Sequence, residues 1–317
     1  MPPRPVWLAA ASLEVFHAFM LVHDDLIDAS LSRRGEAALH EAIRLDFEDP
    51  DGPRSRKAAG DLGLVAGDLL FALGMRLLGR SGLEDATLGR SQRLLADVLL
   101  QTGLGQALDV VYGDSPLDDL CERQIVEAYL RKTARYSVSG PLVLGATIAG
   151  ASAPICRALD RFGDLLGFGF QVRNDLDALA LADDNIEADH PDLDGGKRTF
   201  VLWTAHRRSS EAGRRILVDA LAAPVGFERR RRLLDQIRVS GALEECQDRL
   251  ARLRREAIDA LARADFDPEQ RRAFVTLMPL FDSKVRSRPG PSAGLASILD
   301  APSSGDLAAL QAGVARR

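Results

Sequence analysis

Three aspartates and two arginines near the start of the chain have the residue types and the spacing to bind a divalent cation together with a diphosphate. The set consists of Asp24, Asp25, Asp28, Arg33 and Arg34. Magnesium prefers oxygen ligands, keeps several waters and often binds through one or two carboxylates plus substrate phosphates. Arginine matches phosphate oxygens in a bidentate geometry. The acidic residues alone would favour a solvated helix end, and the paired arginines shift the interpretation to a diphosphate site.

A long helix is predicted to position these aspartates. Residues 6–27 contain no Gly or Pro, are rich in Ala, Leu and Phe, and repeat large apolar side chains at helical spacing. On such a helix Asp24 and Asp28 lie one turn apart on the same face, and Asp25 lies about 100° around the axis. The pair on the shared face could therefore reach one cation.

Other polar motifs follow along the chain, and each is weak alone because a surface location would also explain it. They are Gly105-Gln106 with Asp109, Lys132-Thr133, the acidic segment 170–177, and GKRT at residues 196–199. The order in which they occur carries more information than any one of them.

In that order the motifs resemble those of the trans-prenyl diphosphate synthases, the polyprenyl synthetase family. The resemblance runs from about residue 5 to residue 281, through HDDLID, RRG, GQ with its following Asp, KTARYSVSGPLVLGA, GFGFQVRNDLD and GGKRT. It implies an all-α isoprenoid synthase fold, in which helices surround a deep central cavity and two acidic motifs face each other across its mouth. It also implies a prenyltransferase that ionises an allylic diphosphate, joins the cation to isopentenyl diphosphate and releases a proton.

The same resemblance implies roles for individual residues. The ligands of two to three Mg²⁺ ions would be Asp24, Asp25, Asp28, Asn174 and Asp175. The cations that hold the diphosphates would be Arg33, Arg34, Lys132 and Lys197. The residues acting at the reacting centre would be Lys132, Thr133 and Gln171. For Gln171, a hydrogen-bonded core amide is an equal alternative.

Bulky side chains below the first acidic motif are expected to line the substrate cavity and set the product length. At a rise of 1.5 Å per residue, Met20 and Phe19 lie roughly 6 to 7.5 Å below the metal, and Phe16 lies about 12 Å below it. In the family, an aromatic residue five positions before the first Asp goes with short products. We therefore expect C15 to C20 products, farnesyl or geranylgeranyl diphosphate, with C20 favoured.

Two departures from the family pattern concern the second acidic motif and the start of the chain. Where the family has DDxxD, residues 174–178 read NDLDA, and the lysine of the following loop is replaced at Glu187-Ala188. The family's GGKR segment, which binds isopentenyl diphosphate, would precede Asp24, and Arg4 is the one Lys or Arg there. Either the chain start is misassigned or truncated, or the condensing site is incomplete.

Three functions therefore stay open. The leading one is a short-chain prenyl diphosphate synthase, for which the family implies a homodimer. The second is a terpene synthase of the same fold that acts on one allylic diphosphate, although Ala178 and Ala182 occupy the Ser and Glu positions of its usual metal motif. The third is a catalytically weak subunit that pairs with a complete prenyl synthase, which the altered second motif favours.

Composition and charge narrow the partners and the compartment. A net charge of −5 over 317 residues argues against nucleic acid. Apolar residues make up 46% and aromatic residues 5%, with abundant Ala, Leu and Arg, which favours helices. The three cysteines have no metal-ligand spacing, which suggests reduced thiols in the cytoplasm. Glu14 and His17 interrupt the most apolar stretch, so neither a transmembrane segment nor a signal peptide is expected.

One isoprenoid synthase domain is predicted for residues 1–286, followed by a tail at 287–317 that is rich in Pro, Ser, Gly and Ala and is expected to be mostly disordered. A polar loop is expected at 46–63. The arginine run 229–232 lies beside acidic residues and is predicted to be a solvated helix face. Helices are expected at 64–80, 86–112, 118–150, 154–182, 198–222, 227–238, 242–264 and 268–284.

Overall fold

The protein is built almost entirely of α-helices. The computed structural model describes residues 3–33, 35–187 and 190–282. The first helices are α1 (Arg4–Ile27), α2 (Leu39–Leu45), α3 (Pro53–Gly79), α4 (Asp85–Gly113), α5 (Glu122–Tyr129), α6 (Gly140–Ile148) and α7 (Ala153–Asp184). The remaining ones are α8 (Pro191–Asp194), α9 (Phe200–Arg208), α10 (Glu211–Ala222), α11 (Phe227–Val239), α12 (Ala242–Ala262) and α13 (Pro268–Val275).

Irregular and strand elements are short. A two-residue antiparallel pair, β1 (Ser32–Arg33) and β2 (Glu36–Ala37), is the only β structure in the described residues. Single 3₁₀ turns occur at Leu117–Asp119 and Met278–Phe281. The predicted all-α class is therefore confirmed. The predicted tail at 287–317 lies outside the described residues, so the domain boundary stays a prediction.

Proline and serine set two helix boundaries that differ from the sequence prediction. α3 begins at Pro53, whose fixed φ suits the first helical position, so the predicted loop at 46–63 is shortened to 46–52. Ser210 caps α10, because its hydroxyl accepts a hydrogen bond from Gly213 N at 3.3 Å. The single helix predicted for 198–222 is consequently divided into α9 and α10.

The main hydrophobic core surrounds α7. Phe162, Leu166 and Val172 of this helix are completely buried, and α12, α6 and the segment between α5 and α6 pack around it. A smaller cluster, which includes Phe16 and Leu95, lies between α1, α3 and α4. Burying a side chain of this size contributes about 1.5–3 kcal/mol. The helix that carries the first acidic motif is therefore anchored along α3 and not on the main core.

The segment Leu130–Ser139, between α5 and α6, is a π-helix that carries Lys132 and Thr133. Such turns occur frequently at functional sites. α4 approaches the backbone of this segment at Gly105, where an added Cβ would collide with Lys132 N. α7 approaches it from the other side at Gly167, where an added Cβ would collide with Ala134. The two glycines therefore let neighbouring helices fix the position of Lys132.

The arginine run on α11 is only partly solvated. Arg229 and Arg230 are 8% and 5% exposed, whereas Arg231 is exposed. The prediction of a solvated face is therefore wrong for the first two residues. Helical periodicity gives the reason, since Leu233 and Leu234 follow them by one turn on the buried face of the helix.

Three of the described helices, α1, α3 and α4, are long and apolar enough to cross a membrane by length and composition alone. Their mean hydropathies over 18 residues are 1.6, 1.6 and 1.3. The sequence expectation of no spanning segment rested on the lack of an uninterrupted apolar run, and these values do not support that exclusion. Much of this apolar surface faces outward, because Leu69 on α3 and Val111 on α4 are 66% and 62% exposed.

Candidate active site

Two lysines that are distant in the chain meet the first acidic motif at the end of α1. Lys197 Nζ lies 2.6 Å from Asp28 Oδ2. Lys132 Nζ lies 3.1 Å from Asp24 Oδ1 and 2.5 Å from Asp109 Oδ2 of α4. The structure thus brings together five residues of the sequence motifs, and one of them, Asp109, had no individual role assigned from the sequence.

Arg33, on β1, faces the same motif. Its Nε donates to Asp25 Oδ1 at 2.9 Å, and its Nη2 donates to the same oxygen and lies 3.3 Å from Asp24 Oδ2. Asp25 is therefore 4% exposed and held by Arg33, whereas Asp24 and Asp28 face the lysines. Arg34 lies outside the described residues, so its predicted contact with a diphosphate stays a prediction.

Mutual pairing keeps these groups charged. Burial by itself would raise the pKa of Asp24, but nearby cations, Lys132 foremost, outweigh it and lower that pKa. Burial would lower the pKa of Lys132, but the carboxylates of Asp109 and Asp24 outweigh it and raise the pKa. The pKa of Lys197 is likewise raised by the carboxylates on either side of it, against the effect of burial. Asp24, Lys132 and Lys197 are thus ionised at neutral pH.

The chemistry of the first acidic motif fits a Mg²⁺ ion. Asp24 Oδ1 is buried and meets no well-oriented donor among the described residues, although Lys132 Nζ lies 3.1 Å from it. In the described part of the chain no three His, Cys, Asp or Glu side chains converge to hold a metal by themselves. Mg²⁺ does not require such a cage, because it keeps waters and shares substrate phosphates. Asp24 and Asp28 therefore suit an ion that binds together with a diphosphate.

In the second acidic motif, the two residues predicted as metal ligands contact other side chains. Asp175 is 3% exposed, and its carboxylate accepts hydrogen bonds from Tyr129 Oη at 2.7 Å and Gln171 Nε2 at 3.2 Å. Burial raises the pKa of Asp175 to about 8 despite these hydrogen bonds. Asn174 Oδ1 accepts a hydrogen bond from Arg173 at 2.8 Å. Asn174 and Asp175 thus have protein partners in this arrangement, and their role as ligands of a second ion stays a prediction.

Gln171 connects the second motif to the predicted reacting centre. Its Oε1 accepts a hydrogen bond from Thr133 Oγ1 at 3.3 Å, while its Nε2 donates to Asp175. Tyr129 Oη, which donates to Asp175, accepts a hydrogen bond from Phe200 N at 2.8 Å. Both ends of the Gln171 amide have partners, as the core-amide interpretation requires, and Thr133 lies beside it, as the catalytic interpretation requires. Both interpretations stay open.

The aromatic residues predicted to floor the substrate cavity pack against α3. The Phe16 ring meets the Phe71 ring edge-on, with 5.7 Å between centroids, and Phe16 is 3% exposed. The Phe19 ring lies 5.5 Å from Phe71 and 4.8 Å from His23. Met20 is partly buried. The rings of Phe16, Phe19 and Phe71 form an aromatic cluster below the acidic motif. The role of Phe16, Phe19 and Met20 in setting product length stays a prediction.

Lys197 lines two neighbouring cavities. One, of about 300 Å³, is also lined by Asp28, Asp109 and Tyr112. The other, of about 480 Å³, has mostly apolar walls and includes Asp175. The first is lined by the carboxylates of Asp28, Asp109 and Asp114 and by the cations Lys197 and Arg198. The second lies on the side of Lys197 where Asp175 is buried.

Asp109 and Tyr129 are the residues of this site for which the sequence predicted no role. Asp109 follows Gly105 by one helical turn, so the motif already placed it on the face that contacts Lys132. Tyr129 precedes Lys132 by three positions, and no local pattern links it to Asp175. Only the packing of α5 against α7 brings the hydroxyl to the carboxylate.

The all-α fold and this cluster of acidic and basic side chains define an isoprenoid synthase type of protein. The chain matches the polyprenyl synthetase family model over residues 4–233 and belongs to that family. Its fold is similar to that of a geranylgeranyl pyrophosphate synthase from Corynebacterium glutamicum, solved in complex with isoprenyl diphosphate and magnesium. The TM-score is 0.80 at 28% identity, and the match covers 89% of this chain and 80% of the other. The predicted isoprenoid synthase fold is therefore confirmed.

Curated relatives carry the names of prenyl diphosphate synthases. The chain is 31% identical to the geranylgeranyl diphosphate synthase of Sulfolobus acidocaldarius over 68% of its own length and 61% of the relative. It is 27% identical to the geranylfarnesyl diphosphate synthase of Aeropyrum pernix, over 87% of its own length and 82% of the relative. The chain spans about three fifths of the length of several curated relatives that it matches, 61% and 60% for two of them.

Proposed function

We propose that this protein is a Mg²⁺-dependent short-chain prenyl diphosphate synthase that condenses isopentenyl diphosphate with an allylic diphosphate. The observation that carries the proposal is the pairing of Lys132 with Asp24 and of Lys197 with Asp28 at the end of α1. The names of the similar proteins, geranylgeranyl and geranylfarnesyl diphosphate synthase, support the same reaction class. The products expected are farnesyl or geranylgeranyl diphosphate.

The side chains of the site would stabilise the diphosphate as it leaves the allylic carbon. Lys132, Lys197 and Arg33 place positive charge where negative charge develops, and preorganised electrostatic stabilisation of this kind commonly lowers the barrier more than any other catalytic effect. Bound Mg²⁺ would supply further charge neutralisation on the phosphate oxygens. Thr133 and Gln171 would lie beside the allylic cation, and apolar walls would exclude water from it.

A second candidate function is a catalytically weak subunit that pairs with a complete prenyl synthase. The observation that favours it is the burial of Asp175, which is hydrogen-bonded to Tyr129 and Gln171. A terpene synthase that uses one allylic diphosphate is the other alternative. All three share the first acidic motif, so the substrates consumed must distinguish them.

Labelled isopentenyl diphosphate, incubated with the protein, Mg²⁺ and each of dimethylallyl, geranyl and farnesyl diphosphate, tests the proposal. Chromatography of the dephosphorylated products should reveal a labelled C15 or C20 alcohol that disappears when Mg²⁺ is chelated. A hydrocarbon formed from an allylic diphosphate without isopentenyl diphosphate would indicate a terpene synthase. Turnover that occurs only after a second prenyl synthase is added would indicate the subunit role.

The proposal includes that the protein forms a homodimer and acts in the cytoplasm. Exposed apolar side chains on α3 and α4 support a partner surface, and Leu69 and Val111 are among the most exposed. The three cysteines are unpaired thiols, which suits a reducing compartment. Analytical ultracentrifugation of the wild type and of Leu69→Glu should show a dimer and a monomer, respectively. Flotation of the wild type with lipid vesicles would instead assign these helices to a membrane.

A further inference from the structure

Arg230, part of the run 229–232, is buried beneath the connection that carries Lys197 into the site. Its Nε and Nη2 donate to the two carboxylate oxygens of Asp194, each at 2.7 Å. Its Nη1 donates to the carbonyl oxygens of Ile186 and Glu187, each at 3.2 Å. One guanidinium on α11 therefore holds both the residues that follow α7 and the short helix α8.

Backbone hydrogen bonds also join the short helix α8 to Lys197. Lys197 N donates to Asp192 O at 3.0 Å, and Gly196 N donates to Leu193 O at 3.3 Å. The ammonium group of Lys197 lies 3.7 Å from Asp192 Oδ1 and 2.6 Å from Asp28 Oδ2. Because these backbone hydrogen bonds tie Lys197 to α8, a shift of α8 would move its ammonium group away from Asp28.

The chemistry of the contact requires an arginine. The planar guanidinium presents donors on two edges, so one edge can bind a carboxylate while another reaches backbone carbonyls. A lysine offers a single ammonium group and cannot span both sets of acceptors. Arg230 is 5% exposed, and it contacts Asp194 and the backbone of the residues that follow α7. Its effect on the site is therefore expected to pass through the connection between α7 and α9.

We propose that Arg230 is a positioning residue for Lys197. By binding Asp194 and the carbonyls of Ile186 and Glu187, it fixes α8 and thereby the place of the Lys197 ammonium group opposite Asp28. The proposal rests on the proposed function, because it assigns Lys197 to the diphosphate.

The test compares Arg230→Gln with Arg231→Gln, which changes the exposed neighbour on the same helix. Calorimetric titration with inorganic pyrophosphate and Mg²⁺ should show affinity reduced by about 10- to 100-fold in Arg230→Gln, as expected for a misplaced binding group. Arg231→Gln should bind as the wild type does. Arg230→Lys should recover only part of the loss. Wild-type affinity in a folded Arg230→Gln protein would overturn the proposal.

A second comparison asks whether Arg230 acts through Lys197. Lys197→Gln should weaken pyrophosphate binding, and adding Arg230→Gln to it should weaken binding no further, because the group being positioned is already absent. Losses that multiply in the double variant would show that Arg230 acts elsewhere, which would overturn the proposal. If Arg230→Gln fails to fold, Asp194→Asn breaks the same contact from the other side and carries the same expectations.

Hydrogen exchange separates this proposal from the proposed function. Amides of residues 192–199 should exchange faster in Arg230→Gln than in the wild type or Arg231→Gln, whatever reaction the protein catalyses. If the wild type transfers no prenyl group but the exchange and pyrophosphate results are as expected, the proposed function fails and the positioning role stands. Unchanged exchange of this segment in Arg230→Gln would overturn the positioning role alone.

Discussion

The Nζ atom of Lys197 lies 2.6 Å from Oδ2 of Asp28, although 169 positions separate the two residues in the chain. The contact is a charge-assisted hydrogen bond between groups that are mostly buried. It joins the connection after α7 to the end of α1. A phosphate oxygen that binds the Lys197 ammonium group must share that group with Asp28 or displace Asp28 from it. The charge that a substrate meets at this point is therefore that of the Lys197–Asp28 pair.

Replacing Asp24 by Asn should remove most of the activity. The amide keeps the shape of the side chain but loses the charge that pairs with Lys132 and would bind Mg²⁺. We expect turnover to fall by about 100-fold or more, which is the usual effect of removing one group that stabilises charge in an active site. Turnover is measured against Mg²⁺ concentration. Asp61→Asn, an exposed carboxylate on α3, is the control, and wild-type turnover in Asp24→Asn would contradict the assignment.

Replacing Gly105 by Ala should destabilise the protein, whereas replacing Gly103 by Ala on the same helix should not. A Cβ at Gly105 would collide with Lys132 N, but a Cβ at Gly103 meets no atom within 4 Å. Overpacking of this kind costs about 1–3 kcal/mol, while Ala in place of Gly inside an open helix face gains about 0.5–1 kcal/mol. Urea unfolding measures both changes. Equal stabilities for the two variants would mean that α4 does not approach the π-helix this closely.

The stability of the wild type should fall with rising pH because of Asp175. Its folded-state pKa of about 8 is above the ordinary value of 3.8, so the folded protein binds this proton more tightly than the unfolded chain. The contribution is therefore greatest at low pH and is lost as pH rises towards 8, by up to about 1.4 kcal/mol per pH unit.

Asp175→Asn should lack this slope, because its side chain does not ionise. Urea unfolding from pH 5 to pH 8 is compared for the wild type, this variant and Asp119→Asn, which changes an exposed carboxylate. A difference between the wild type and Asp175→Asn that stays constant across this range would show that Asp175 does not titrate there.

Replacing Phe19 by Ala should lengthen the product. Phe19 lies below the acidic motif in the cluster with Phe71, and removing its ring would open space there without touching Lys132 or Lys197. Chromatography of dephosphorylated products should show a shift towards longer chains. Phe227→Ala, which removes an exposed ring on α11, should leave the distribution unchanged. An unchanged distribution in Phe19→Ala would mean that this face of α1 does not line the chain cavity.

The residue types and their spacing were enough to identify the helical class, the family and most of the basic and acidic residues that meet at the site. Periodicity decides which residues share a face of one helix, so Asp24 and Asp28 could be paired from the sequence. The order of the motifs selected Lys132 and Lys197, because the resemblance to the family implies a lysine at these positions. The starts of α3 and α10 were not predicted, because they depend on Pro53 and on the Ser210 cap. Hydrophobic periodicity does not reveal such local interactions.

Tertiary packing decided which charged residues are open to a ligand and which are buried. The sequence predicts a solvated face at Arg230, yet this side chain is buried and binds Asp194, 36 positions away. Asp175, a metal ligand by resemblance to the family, accepts a hydrogen bond from Tyr129, 46 positions away. A sequence pattern determines the direction of a side chain around its own helix. The partner that faces it depends on how separate helices pack, and this long-range arrangement determines whether a carboxylate binds an ion or a neighbouring side chain.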